Sequence, residues 1–152
     1  MNRDFRDLLL VLSAAGVEFL VVGAYALAAH GLSRSTGDLD IWVRANRENA
    51  ARLWQALQKF GAPLRSLTIT DFEDPNIVFR MGVPPYQIDI LTSITGISFD
   101  EAWPNRVLHE VEGTTVPVIS SSDQIRNKRS TDRPKDKLDA DWLEKREREK
   151  LE

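Results

Sequence analysis

The residues with the clearest capacity for chemistry are three aspartates. In Asp38-Leu39-Asp40-Ile41 the alternation of acid and apolar residues reads as a strand. Successive strand side chains point to opposite faces, so both carboxylates share a face while Leu39 and Ile41 enter the core. Two carboxylates held that close repel and raise each other's pKa. A divalent cation removes that cost, and hard oxygen ligands suit magnesium. The plainer alternative is a strand end bearing two solvated acids. Asp89 stands in Gln87-Ile88-Asp89-Ile90-Leu91, an acid between apolar residues on a strand expected in the sheet interior. An unpaired carboxylate is expensive to bury. It calls for a cation shared with Asp38 and Asp40, if the two strands are neighbours, or for a salt bridge to Arg80 across a hairpin.

Upstream, Gly23 joins an apolar run directly to the Ala-rich segment that starts at Ala24. Backbone N–H groups at such a turn, together with the positive end of a helix, suit an anion. Glycine also lets a phosphate approach the backbone closely. Read more simply, this is a tight strand-to-helix turn. Arg34 and Thr36 lie on the loop that leads to the acids and can contact phosphate or orient the carboxylates; for Arg34 the alternative is a counter-ion to Asp38. Residues 126–137 carry six basic side chains (Arg126, Lys128, Arg129, Arg133, Lys135, Lys137) against two acids, whereas residues 1–125 hold ten basic and fifteen acidic ones. A positive patch on a negative body suits a polyanion. Lys128 and Lys135 are the preferred phosphate contacts there, with a solvated helix junction as the alternative.

The elements that must position these groups follow from periodicity and capping. Phe5, Leu8, Leu9 and Leu12 recur at helical spacing and Gly16 ends that helix. A strand over 17–22, a short helix over 24–29 and a strand over 38–43 follow. Asn46 caps a helix over 47–60 that Gly61 terminates. Residues 76–81 and 86–91 form a hairpin around Gly-Val-Pro-Pro, and 106–111 with 114–119 form another around Glu112-Gly113. Ser121 or Ser122 caps a helix to about Arg129. A last helix follows Pro134, with Leu138, Trp142 and Leu143 as its apolar side. Interleaved helices and strands with hairpins predict an α/β (α+β) fold: a mixed, twisted central sheet, helices mainly on one face and the site at a sheet edge. His30 reads as a packing or second-shell histidine. Trp42, Trp54 and Trp142 read as packing aromatics, and Trp103 either as the same or as the wall of a base pocket.

Length and composition bound the rest. With 152 residues, one domain spanning 1–152 is expected, its basic helical segment covering about 120–152. A net charge of −3 argues against a protein whose main task is coating nucleic acid. No cysteine is present, which excludes disulfides, thiolate zinc sites and cysteine nucleophiles, and two histidines exclude a multi-histidine metal cluster. The longest apolar stretch, 19–30, is far short of the ~20 residues that a membrane span needs. The N-terminal segment carries Asp4 and Asp7 and reads as an amphipathic helix rather than a signal peptide. A cytoplasmic protein without membrane association is expected.

Leu20-Val-Val-Gly-Ala-Tyr-Ala, His30-Gly31 and Arg34-x-Thr36-x-Asp38-x-Asp40-Ile41 together resemble the DNA polymerase β-type nucleotidyltransferase superfamily, in particular its small bacterial minimal-nucleotidyltransferase and AbiEii-like groups. Glycine turn, D-x-D and a third acid on a later strand occur in the superfamily's order, and the resemblance spans roughly residues 17–140. It implies magnesium-dependent transfer of a nucleotidyl group from a nucleoside triphosphate to a hydroxyl of an acceptor (protein, RNA or small molecule). Two Mg2+ ions, or Mn2+ in their place, would be held by Asp38, Asp40 and Asp89, with Asp89 helping to deprotonate the hydroxyl. Gly23, Ala24, Arg34, Thr36, Lys128 and Lys135 would hold the nucleotide. The superfamily usually has Gly-Ser or Gly-Gly where this chain has Gly23-Ala24, and Ala24 has no hydroxyl to donate. The rival expectation is a nucleotide-binding or antitoxin-like partner protein of the same fold with slow or no turnover, as in toxin–antitoxin pairs.

Overall fold

Asn2 starts the first helix by accepting from the amides of Asp4 and Phe5 at 2.8 and 3.2 Å. In the computed structural model, which describes residues 1–33 and 37–151, this helix is α1 (Arg3–Ala14), and it buries Phe5, Leu8, Leu9 and Leu12. The strand expected at 17–22 is shorter: β1 is Phe19–Val22, and α2 begins on the glycine itself (Gly23–Ala29). β2 (Asp38–Val43) and α3 (Arg47–Phe60) occupy the expected ranges. Asn46 caps α3 through the amide of Asn49, and Gly61 closes it in the left-handed conformation.

The first hairpin is β3 (Val78–Val83) and β4 (Tyr86–Leu91). Its first strand lies two residues later than expected, because Gly82 and Val83 pair with Gln87 and Tyr86 and leave only Pro84-Pro85 in the turn. The short helix α4 (Phe99–Ala102) carries a capping box from Ser98 and Glu101 that the sequence reading passed over. β5 (Val107–Val111) and β6 (Thr114–Val118) form the second hairpin. α5 (Ser121–Arg129) is capped by Ser120 rather than Ser121 or Ser122, and α6 is Pro134–Lys150.

The six strands form one mixed sheet in the order β3-β4-β2-β1-β6-β5. β1 is antiparallel to β2 and parallel to β6, while β2 runs parallel to β4. Residues opposite one another share a face. One face therefore carries Leu39, Ile41, Ile88, Ile90 and Val21, all buried. Helix α1 covers it: Leu9 lines an apolar hollow with Val21 and Leu39, and Phe5 lines another with Met81 and Ile88. The other face carries Val22, Asp38, Asp40 and Asp89.

Three expectations need correction. The acids lie on β2 and β4, interior strands of the sheet, not at its edge. The helices are not confined mainly to one face, since α5 and α6 wall the acid-bearing side. On α6 the inward face is Asp136, Asp139, Ala140 and Leu143, while Leu138 is 69% exposed. The reason for the last is that α6 packs on α5, where Lys128 neutralises both buried acids.

Candidate active site

A cleft of about 500 Å³ opens where β1 turns into α2. Val22, Gly23, Ala24, Asp38 and Asp40 line one side, Leu91 at the end of β4 with Ile94 and Thr95 after it the floor, and Asn127, Lys128, Arg133, Lys135, Asp136 and Asp139 the opposite wall. Thus Gly23, Ala24, Asp38, Asp40, Lys128 and Lys135 meet in one place, from four elements of the chain. Arg34 and Thr36 lie outside the described residues.

The register of two strand pairs sets the centre of the site. Asp40 stands opposite Val22 on β1 and opposite Asp89 on β4. Gly23 has a positive φ of 68°, and a Cβ placed on it would run into the Asp40 carboxylate. The turn can therefore press its backbone against the acid only as glycine. Gln124 on α5 fixes the same turn by donating to the Gly23 carbonyl at 3.0 Å.

Burial pushes the Asp40 carboxyl up to about 6, and the charges of Asp89 and Asp38 push in the same direction. Arg80 and Lys128 oppose this without cancelling it. Charge on Asp40 is thus disfavoured where it stands, and a hard cation bound there would favour it.

Asp89 faces Arg80 on the edge strand β3. The guanidinium donates to both carboxylate oxygens, Nε to Oδ1 at 2.9 Å and Nη2 to Oδ2 at 3.3 Å. The salt bridge weighed from the sequence is present, and so is the adjacency to Asp40. The cleft lining includes Asp38 and Asp40 but not Asp89. Among the described residues no three acids or histidines are grouped closely enough to cage an ion by themselves. Magnesium rarely needs such a cage, because it commonly takes one or two carboxylates and completes its shell with water and substrate phosphate oxygens. With that completion the donor set fits.

On the far wall Lys128 lies 3.2 Å from both Asp136 Oδ1 and Asp139 Oδ2 and is only 11% exposed. Thr131 and Arg133 also donate to Asp136, at 2.7 and 2.8 Å. Burial opposes the ionised form of Asp136, but the bonds from Thr131 and Lys128 outweigh it and hold the carboxyl below its usual range. Lys128 is therefore clamped in an ion network, whereas Lys135 is exposed at the cleft mouth. The sequence reading missed the roles of Asn127 and Thr95 in joining α5 to the floor, with Asn127 Nδ2 donating to the Thr95 carbonyl at 2.9 Å. No local pattern marked that contact, which joins residues 32 positions apart.

His30, Trp42 and Trp103 are engaged in contacts outside the cleft lining. His30 is buried with Nε2 2.7 Å from the Ile119 carbonyl, and burial lowers its pKa. Trp42 packs edge-on against Phe99. Trp103 stacks on Phe99 and also packs against the guanidinium of Arg106, so its ring is engaged away from the cleft.

No family model and no curated protein matches the sequence. Solved structures do. A candidate nucleotidyltransferase from Thermotoga maritima aligns over 78% of this chain and 76% of its own, at 20% identity and a TM-score of 0.52. The antibiotic-resistance factor ANT(2'')-Ia aligns over 92% and 80%, at 16% identity and a TM-score of 0.53. An antigenic nucleotidyltransferase-like protein from Paracoccidioides brasiliensis aligns over 94% and 74%, at 14% identity and a TM-score of 0.52. The chain has the nucleotidyltransferase fold. Within that fold, the cleft between the Gly23 turn and α5–α6 brings Asp38 and Asp40 together with Lys128, Arg133 and Lys135, and Asp89 stands beside Asp40 on the neighbouring strand. Among the described residues, no helix is long and apolar enough to cross a membrane.

Proposed function

We propose that this chain transfers a nucleotidyl group from a magnesium-bound nucleoside triphosphate to a hydroxyl of an acceptor, which is an RNA, a protein or a small molecule, in the manner of the small bacterial members of the superfamily. The observation that carries the reading is the position of Asp40, pressed by the Gly23 turn on one side and standing opposite Asp89 on the other. Fold likeness alone does not give an activity, since one fold hosts many functions. Asp38, Asp40 and the turn at one cleft, with Asp89 beside Asp40, supply the chemical argument.

In this reading Asp38 and Asp40 would hold Mg2+ together with the triphosphate, and Asp89 would complete the second ion's site. When bound, the metal supplies charge neutralisation and acidifies the attacking hydroxyl. The backbone at Gly23 and Ala24 takes phosphate oxygens, and Lys135 adds a mobile positive charge at the mouth. Lys128 acts on the phosphates only through the field of its ion network. The acceptor oxygen bonds to the α-phosphorus, the bond from that phosphorus to the bridging oxygen breaks, and pyrophosphate leaves. Asp89 receives the hydroxyl proton. Arg34 and Thr36 are further candidates for phosphate contact on the sequence pattern alone.

A second reading, an antitoxin-like or nucleotide-binding partner with slow turnover, is favoured by one observation: Arg80 already occupies Asp89. Incubation with each α-labelled nucleoside triphosphate, Mg2+ and cell extract, followed by separation of RNA, protein and small molecules, decides between the two. Label in one fraction supports the transferase. Label in none supports the binding protein.

A further inference from the structure

The Arg80–Asp89 pair faces the acid cluster on the same side of the sheet, and its two members are held very differently. Asp89 sits on the interior strand β4 with 13% of its side chain exposed. Arg80 rises from the edge strand β3 with 61% exposed, so its head can leave without disturbing the core. The contact is a two-pronged fork onto both carboxylate oxygens, the geometry that makes arginine–carboxylate pairs strong and directional. A cation coordinated by Asp89 would have to share that carboxylate with a guanidinium of the same sign.

We infer that Arg80 is a positioning residue that makes capture of a divalent cation by Asp38, Asp40 and Asp89 depend on the triphosphate arriving with it. The inference rests on the reading of these acids as a cation site. A free cation displaces the guanidinium and gives it nothing in return. A cation carried by a triphosphate brings anionic oxygens, which are acceptors matched to the released fork. Arg80 thereby exchanges one acid partner for another, and the empty site is kept closed to adventitious metal. Ala24 makes such an exchange useful, because the turn lacks the hydroxyl that would otherwise help to hold the phosphates.

The test is Mn2+ titration followed by electron paramagnetic resonance, with wild type, Arg80→Gln and Arg80→Lys, alone and with the non-hydrolysable α,β-methylene analogue of ATP. Wild type should bind Mn2+ weakly by itself and much more tightly with the analogue. Arg80→Gln should bind Mn2+ alone about tenfold more tightly than wild type, a coupling within the usual range, and its gain from the analogue should shrink by the same factor. Arg80→Lys, which keeps the charge and loses the fork, should fall between them, and it carries the test if the glutamine variant does not fold. Equal or weaker binding of Mn2+ alone by folded variants overturns the role of Arg80. A wild type that binds Mn2+ as tightly without the analogue as with it does so as well. Failure of every protein to bind Mn2+ in either condition overturns instead the cation site and the proposed function.

Discussion

Gly23 and Asp40 are in backbone-to-carboxylate contact: the turn between β1 and α2 lies so close to the acid that even a methyl group on Gly23 would collide with its side chain. Gly23 also adopts a positive φ, which L-residues reach only at a cost of roughly 1–2 kcal/mol. Gly23→Ala should therefore lower stability by about that amount and also push Asp40 aside. Thermal melting checks the first effect. Loss of Mn2+–triphosphate affinity, well beyond what the melting change explains, checks the second.

Asp40 links stability to pH. Its folded-state pKa is raised from 3.8 to about 6, so between those values the folded chain binds more protons than the unfolded one. Stability then falls as pH rises through this window, and the full penalty is present above about 6. At about 1.36 kcal/mol per pH unit the ceiling is roughly 3 kcal/mol. Asp40→Asn should remove it without metal, raising the melting temperature by up to about 6–12 °C at pH 7.5, and by little at pH 3.5. Calorimetry at both values measures this; a variant that melts lower at pH 7.5 would show that Asp40 is a structural ion-pair partner.

Mg2+ with a nucleoside triphosphate at ~100 times its dissociation constant should stabilise the wild type by about 2.7 kcal/mol, a rise of roughly 5–11 °C. Asp40→Asn and Asp89→Asn should lose transfer activity and most of this gain while keeping their helical circular dichroism. An unchanged gain in both would remove the acids from the site.

The two lysines should separate cleanly. Lys128 is clamped between Asp136 and Asp139, and breaking a buried ion pair typically costs about 3–5 kcal/mol. Lys128→Ala should sit at the low end, because Asp136 keeps Arg133 and Thr131. Lys135 is exposed, so Lys135→Ala should leave the melting temperature within about 2 °C, since surface changes usually stay within about ±0.5 kcal/mol. It should weaken triphosphate binding nonetheless. Denaturant melts and nucleotide titrations of both variants provide the check.

What could be read along the chain was whatever a local rule governs. The period of two put Asp38 and Asp40 on one face and Leu39 with Ile41 on the other, as the burial of the latter pair bears out. Asn46 and Gly61 bounded α3 because capping involves only neighbouring residues. Which strands become neighbours depends instead on how the whole sheet closes. Only the parallel pairing of β2 with β4 put Asp40 opposite Asp89, and only the hairpin register put Arg80 on that same acid. The α5–α6 wall was misjudged for a related reason. A lysine and two aspartates on separate turns look like solvated charges, yet they are buried as a mutually neutralising group. Burial of charge is decided by partners, and partners distant in sequence are assigned only by the tertiary fold.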